Sequence, residues 1–179
     1  FPVVHSSGVK GGLRSFIHAN HETDEDAIFG KKDDEASSGK VIFTDAKLLL
    51  FPVRSSHDAF KWVTCPLVLK RLQRDVEMIG GSLTGGDVSV SGDGNGLAYS
   101  DKDNNREIVL EDFPIRLTCP TAELPGAASA MPDMVKKLVA GHITEGELEK
   151  RLVVVSDNLF TALVKYATQV IARNQLNED

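Results

Sequence analysis

The sequence predicts an α+β fold. Three observations carry that expectation. Short runs are rich in β-branched and apolar residues, longer runs repeat apolar residues at helical spacing, and clusters of Gly, Ser, Asp and Asn separate them. Strands alternate with helices and hairpins along the chain, and there is no internal repeat.

Taken in order, Phe1 to His5 reads as a strand and Lys10 to Asn20 as a helix. Residues 21–39 are charged and glycine-serine rich, which predicts a mobile acidic loop with one apolar island, "AIFG", able to dock on the body. Lys40 to Val53, "KVIFTDAKLLLFPV", reads as one strand, or a strand with a bulge, interrupted at Thr44–Asp45. "KWVTCPLVLKRLQRDVEMIG" starts extended and turns helical, with Thr64 or Cys65 as N-cap, Pro66 in the first turn and Gly80–Gly81 at the end. Residues 81–105 form a Gly/Asp-rich insertion with "DVSVS" and "LAYS" as weak strands. "REIVLEDFPIRL" reads as a strand, "TCPTAELPGAASAMPDM" as a loop, and "DMVKKLVAGHI" and "ITEGELEKRL" as short helices. "RLVVVSD" is a strand, and Ser156 or Asp157 caps the helix that follows.

The chain has 179 residues and a formal net charge of -6. That length suits one domain, 1–179. No apolar run is long enough to span a bilayer, and no secretory signal is evident, which points to a cytoplasmic protein without a membrane. Cys65 and Cys119, each followed by proline, are expected to be reduced and buried. The histidines have no ligand-like spacing, and neither CxxC nor HExxH occurs, which argues against zinc.

The chemistry concentrates in "VVHSSGVKGGLRSFIHA". Backbone amides where a glycine-rich turn enters a helix suit a phosphate, because the first-turn N–H groups lack partners. Lys10 and Arg14 lie four apart and share a face, so together they neutralise neighbouring phosphates. The spacing is not that of a Walker loop. A tight turn with solvated Lys and Arg is the plainer reading of the same residues. Asp45 interrupts an apolar strand, as a buried carboxylate bonded to backbone or as an auxiliary acid. Arg54 is placed for a phosphate contact or for pairing with another subunit. Ser55, Ser56 and His57 suit a turn at a strand exit. Trp62 belongs in the core rather than on a base, and His18 and His21 are exposed spectators.

The opening stretch resembles the "P-x-I-x-G-S-S-x-K-G-x-L-R" signature of RAMP proteins, with His5 standing where that signature has glycine. "VIFTDAKLLLFPVRS", "FKWVTCPLVLKRL", "IRLTCPTAELPGAA" and "LVVVSDNLFTALVKYATQVIARNQL" are similar, in the same order, to blocks of the backbone-subunit family, the fourth subunit, of type III-B CRISPR Cmr RNA-targeting effectors.

The resemblance implies a ferredoxin-like, RRM-related RAMP core with loop and helical insertions. It implies a guide-RNA-binding filament subunit in antiviral defense. The intact subunit would cut target RNA at regular intervals as a metal-dependent endoribonuclease using Mg or Mn. The partners implied are CRISPR guide RNA, single-stranded target RNA, further copies of the chain and other Cmr subunits. RNA contacts fall to Ser6, Ser7, Gly8, Lys10, Gly11, Arg14 and Arg54, with Asp45 the one auxiliary catalytic candidate. The resemblance also places the family's cleavage aspartate before Phe1 and its thumb hairpin after the last residue, so a central portion of the subunit is expected. A small phosphate-ligand enzyme using the same glycine-rich helix entrance is the alternative.

Overall fold

A computed structural model describes residues 1–20, 25–31, 37–81, 88–119 and 145–167. The chain divides into two compact units, Phe1–Leu48 and Leu49–Asp179.

In the first unit, β1 (Val3–Val4) pairs antiparallel with β2 (Ala46–Lys47), Val3 opposite Lys47 and Val4 opposite Ala46. Between them lie α1 (Ser6–Asn20) and the short α2 (Glu25–Phe29). The glycine-rich tract is therefore helix, and α1 starts four residues before the expected Lys10. Two features offset the poor helix propensity of Gly8, Gly11 and Gly12. His5 carbonyl oxygen accepts from the amides of Gly8 and Val9, and the Asp45 carboxylate accepts from the Ser6 amide. The apolar island docks: Phe29 is buried and stacks on Phe43 with centroids 5.4 Å apart. Gly30, at φ 85°, lets the chain pair with Ser38 beyond the helix; a Cβ there would sit 2.8 Å from the Gly39 nitrogen.

The second unit is built on a six-stranded mixed sheet. Its strands are β3 (Phe51–Arg54), β4 (Phe60–Thr64), β5 (Asn95–Ala98), β6 (Glu107–Leu110), β7 (Phe113–Thr118) and β8 (Leu152–Val155), in the order β3-β4-β8-β5-β7-β6. The pairs β4–β8 and β5–β7 are parallel and the other three antiparallel. The edge strands curl toward each other: Ser55 bridges Leu110, the Ser56 amide donates to Val109 carbonyl oxygen at 3.0 Å, and the Glu111 amide to that of Arg54 at 3.0 Å.

Helices α3 (Pro66–Met78), α4 (Glu145–Arg151) and α5 (Asp157–Tyr166) complete the unit. Cys65 occupies the N-cap of α3 with proline in its first turn, as the sequence indicates. Ser156 caps α5, its Oγ accepting from the Leu159 amide at 3.0 Å while donating to Asp93. Asp157 accepts from the Leu67 amide at 2.9 Å and so completes the start of α3 from the start of α5. Every residue of β8 is buried, as expected of an apolar run at the centre of a sheet. Leu152 and Val154 point to one face and pack with Leu69 of α3 and Leu148 of α4.

Two expected strands differ in form. "KVIFTDAKLLLFPV" is β2 and β3, separate strands in separate units, because β2 pairs with β1 and β3 with β4. "REIVLEDFPIRL" is the β6–β7 hairpin, turning at Glu111 with φ 52°. Of the weak strands, "LAYS" falls on β5, while "DVSVS" supplies Val88 and Val90 as core contacts without being a strand. The expected helix "DMVKKLVAGHI" and the loop from Pro120 onward lie outside the described residues.

Candidate nucleic-acid interface

Helix α1 carries most of the residues singled out for RNA. It buries none of them fully, so its surface is available for contact. A Cβ added at Gly11 or Gly12 would meet nothing within 4 Å, and one at Gly8 only Val4 Cγ1 at 3.7 Å. The helix thus presents bare backbone that another chain can approach closely. Ser7 is exposed, and Ser6 is half-buried beside it. Lys10 is half-buried and, among the described residues, makes no ion pair or hydrogen bond.

Arg14, one turn further on, is in a different condition. Its Nε donates to Glu25 Oε1 at 2.5 Å, its Nη2 donates to Gly30 carbonyl oxygen at 2.8 Å, and Asp26 lies 4.0 Å away. The guanidinium also lies 5.8 Å from the centre of the Phe29 ring. Only 18% of its side chain is exposed. His18 is no spectator: its Nδ1 lies 2.8 Å from Glu25 Oε2. Arg14 first, then His18, holds the Glu25 carboxyl below the usual range. His21 lies outside the described residues.

Asp45 is not buried, although it does bond to backbone as one reading of it expected. Its side chain is 44% exposed, it accepts from the Ser6 amide at 2.7 Å, and His5 lies 3.9 Å away. It therefore supplies the negative charge that the N-terminus of α1 favours. Among the described residues no group of three or more His, Cys, Asp or Glu is arranged to hold a metal ion. The residues described do not fit a divalent metal.

Arg54 belongs to the second unit. It pairs within the chain, Nη2 to Glu111 Oε2 at 3.0 Å, yet 73% of its side chain remains exposed. It edges a groove of about 670 Å³ that is also lined by Phe51, Phe60 and Tyr166. Ser55 Oγ accepts from the His57 amide and so holds a turn, while Ser56 Oγ accepts from the Val109 amide and joins this strand exit to β6. Trp62 packs edge-on to Phe60 at 5.0 Å and against the Leu69 cluster, as a core residue. Cys65 is buried, and burial pushes its thiol up to about 12, so it is inert; Cys119, likewise in no disulfide, is half-buried.

Sequence reasoning missed Glu25. The partner of Arg14 lies eleven residues away across the chain reversal, with no fixed spacing to reveal it. It also missed Lys61, whose Nζ donates to Asp58 at 2.7 Å, Asp103 at 2.9 Å and Lys150 carbonyl oxygen at 3.0 Å while only 1% exposed. A lysine inside the strand "FKWVT" was the available signal.

The RAMP superfamily model matches residues 1–178. The chain belongs to the RAMP superfamily. The α+β architecture accords with the ferredoxin-like core expected of a RAMP protein. Among RAMP relatives, the chain is similar to the CRISPR system Cmr endoribonuclease Cmr4 of Pyrococcus furiosus, 28% identical over 184 residues, covering all of this chain and 61% of that protein. It is similar in structure to oligomeric Cmr4 from Pyrococcus furiosus, with a TM-score of 0.76 at 27% identity over 95% of this chain and 64% of that one. A chain of the type III-B Cmr-beta complex bound to cognate target RNA shares the fold, with a TM-score of 0.61 at 17% identity over 92% of this chain and 57% of that one. The chain thus spans less than two thirds of the length of each of these proteins. Among the described residues, no helix is long and apolar enough to cross a membrane.

Proposed function

We propose that this chain is the central part of a Cmr4-like backbone subunit in a type III-B CRISPR complex. It binds guide RNA, stacks with copies of itself and with other Cmr subunits, and presents single-stranded target RNA for cutting by the intact protein. The observation that carries the reading is the match to the Cmr4 endoribonuclease over the whole chain. The open backbone of Gly11 and Gly12 beside the unpaired Lys10 supports it locally.

On this reading Ser6, Ser7, Gly8, Lys10 and Gly11 face the guide backbone, with Arg14 on the same flank and Arg54 a further contact. The contacts are to phosphate and ribose, so they carry no base preference. Asp45 serves as the cap of α1; its contacts favour that role over that of an auxiliary acid. Cleavage, with Mg or Mn, belongs to the intact subunit. The small phosphate-ligand enzyme drew on the same glycine-rich stretch, and no specific observation favours it.

The test is a filter-binding titration of the chain with single-stranded RNA of several sequences at several salt concentrations. Lys10→Ala should weaken binding equally for all sequences and reduce the slope of log affinity against log salt by about 0.7, the share of one phosphate on a single strand. An unchanged slope would overturn the assignment of α1.

A further inference from the structure

Lys10, Arg14 and His18 succeed one another at intervals of four on α1, so they form one row along one face. The three are not equivalent. Lys10 has no polar partner among the described residues, whereas Arg14 and His18 share a single carboxylate. Glu25 offers one oxygen to each, at 2.5 Å to Arg14 and 2.8 Å to His18. Two oxygens on one acid, bridging two basic groups one turn apart, is the contact that a phosphate would make with the same pair.

We propose that Glu25 is an internal competitor of RNA phosphate for Arg14 and His18, so that α2 restrains RNA binding along α1 until it is displaced. The inference rests on the reading of α1 as an RNA-contacting helix.

Three observations support competition over a purely structural brace. First, Arg14 is only 18% exposed, and Glu25 stands among the groups that cover it, so a phosphate reaches the guanidinium once that carboxylate moves. Second, α2 has anchors besides Glu25: Phe29 is buried against Phe43, and the Lys40 amide donates to Ala27 carbonyl oxygen at 3.0 Å. The carboxylate can let go without undocking the segment. Third, the pattern recurs at the end of the same helix, where Asp45 holds the Ser6 amide. Both ends of the expected RNA surface are thus neutralised by the chain's own acids, and of its side-chain cations Lys10 alone has no partner among the described residues.

The experiment is a double-mutant cycle on the 179-residue chain with a short mixed-sequence single-stranded RNA, read by filter binding across salt. Glu25→Gln should bind roughly two- to fivefold more tightly, the range of one partly exposed ion pair. Its salt slope should steepen by about 0.7, for one phosphate gained. Arg14→Ala should cost more in the Glu25→Gln background than in the natural one. Equal costs in the two backgrounds, or no gain from Glu25→Gln while Lys10→Ala still flattens the slope, overturn the competition and leave the RNA surface standing. No dependence on Lys10 in any background overturns both. Should Glu25→Gln fail to fold, the Arg14 Nε–H resonance of the natural chain decides: a shift on adding RNA supports a change of partner, and an unmoved resonance refutes it.

Discussion

Lys61 shows how a single residue ties the second unit together. Its ammonium is buried, and its three acceptors come from the β3–β4 turn (Asp58), the turn before β6 (Asp103) and the end of α4 (Lys150 carbonyl oxygen). Asp103 is itself buried and also receives Arg106 Nη1 at 3.1 Å. An ammonium with three acceptors is satisfied, but its removal leaves a buried carboxylate with one partly exposed cation. Lys61→Met should therefore destabilise the chain by about 3 kcal/mol in urea unfolding, the low end for a broken buried pair because Arg106 remains. A loss below about 1 kcal/mol would mean that Asp103 is hydrated. The same site fixes an acid response. The hydrogen bond from Lys61 holds the Asp58 carboxyl below its usual range. A depressed folded value adds stability above the ordinary carboxylate range, near pH 4, and loses it as pH falls through the folded value. Asp58→Asn should flatten that acid limb of the stability curve; an identical limb in the variant would remove Asp58 from the account.

At the scale of elements, what the sequence revealed depended on whether local chemistry or distant partners decide the outcome. The start of α3 was legible because Cys65-Pro66 is a local signal, and β8 because "LVVV" is continuous and short. The start of α1 was not, because the acceptor that helps three early glycines stay helical, Asp45, is thirty-nine residues from Ser6. The β6–β7 hairpin carried a signal that went unread. Buried Ile108 and Leu110 are even-numbered and buried Ile115 and Leu117 odd-numbered, a change of phase that no single strand allows. The proposed RNA surface was read from a motif, but the state of its charges was not legible, since Glu25 meets Arg14 only after the chain reverses. Ser156 was read as one of two candidate caps, and the structure gives it both the cap of α5 and a bond to Asp93. Ser156→Ala should therefore cost about 1–2 kcal/mol, the upper part of the range for a lost N-cap. Ser156→Asp should recover little, because its charge would face Asp93. Calorimetry of both variants tests this, and full rescue by Asp would show that the Asp93 contact is dispensable.

For the whole molecule, a net charge of -6 sets the proposed RNA binding against the proposed assembly. The cations of α1 are local, so on the proposed reading one chain contacts few phosphates and its affinity for a single strand should fall only gently with salt. Copies aligned on one RNA bring like charges together, and that repulsion reaches about 10 Å at 0.1 M salt and less as salt rises. The two effects have opposite signs. If copies stack along RNA as proposed, raising salt from about 50 to about 200 mM should weaken the binding of an isolated chain to a short RNA while strengthening cooperativity on a long one. Mass photometry on RNAs of increasing length measures both quantities at each salt. The expected record is a series of whole-number multiples of the chain whose highest members gain weight as salt increases. One chain per RNA at every length would refute the filament, and cooperativity that falls in step with affinity would place its driving force in the RNA contacts rather than between the copies.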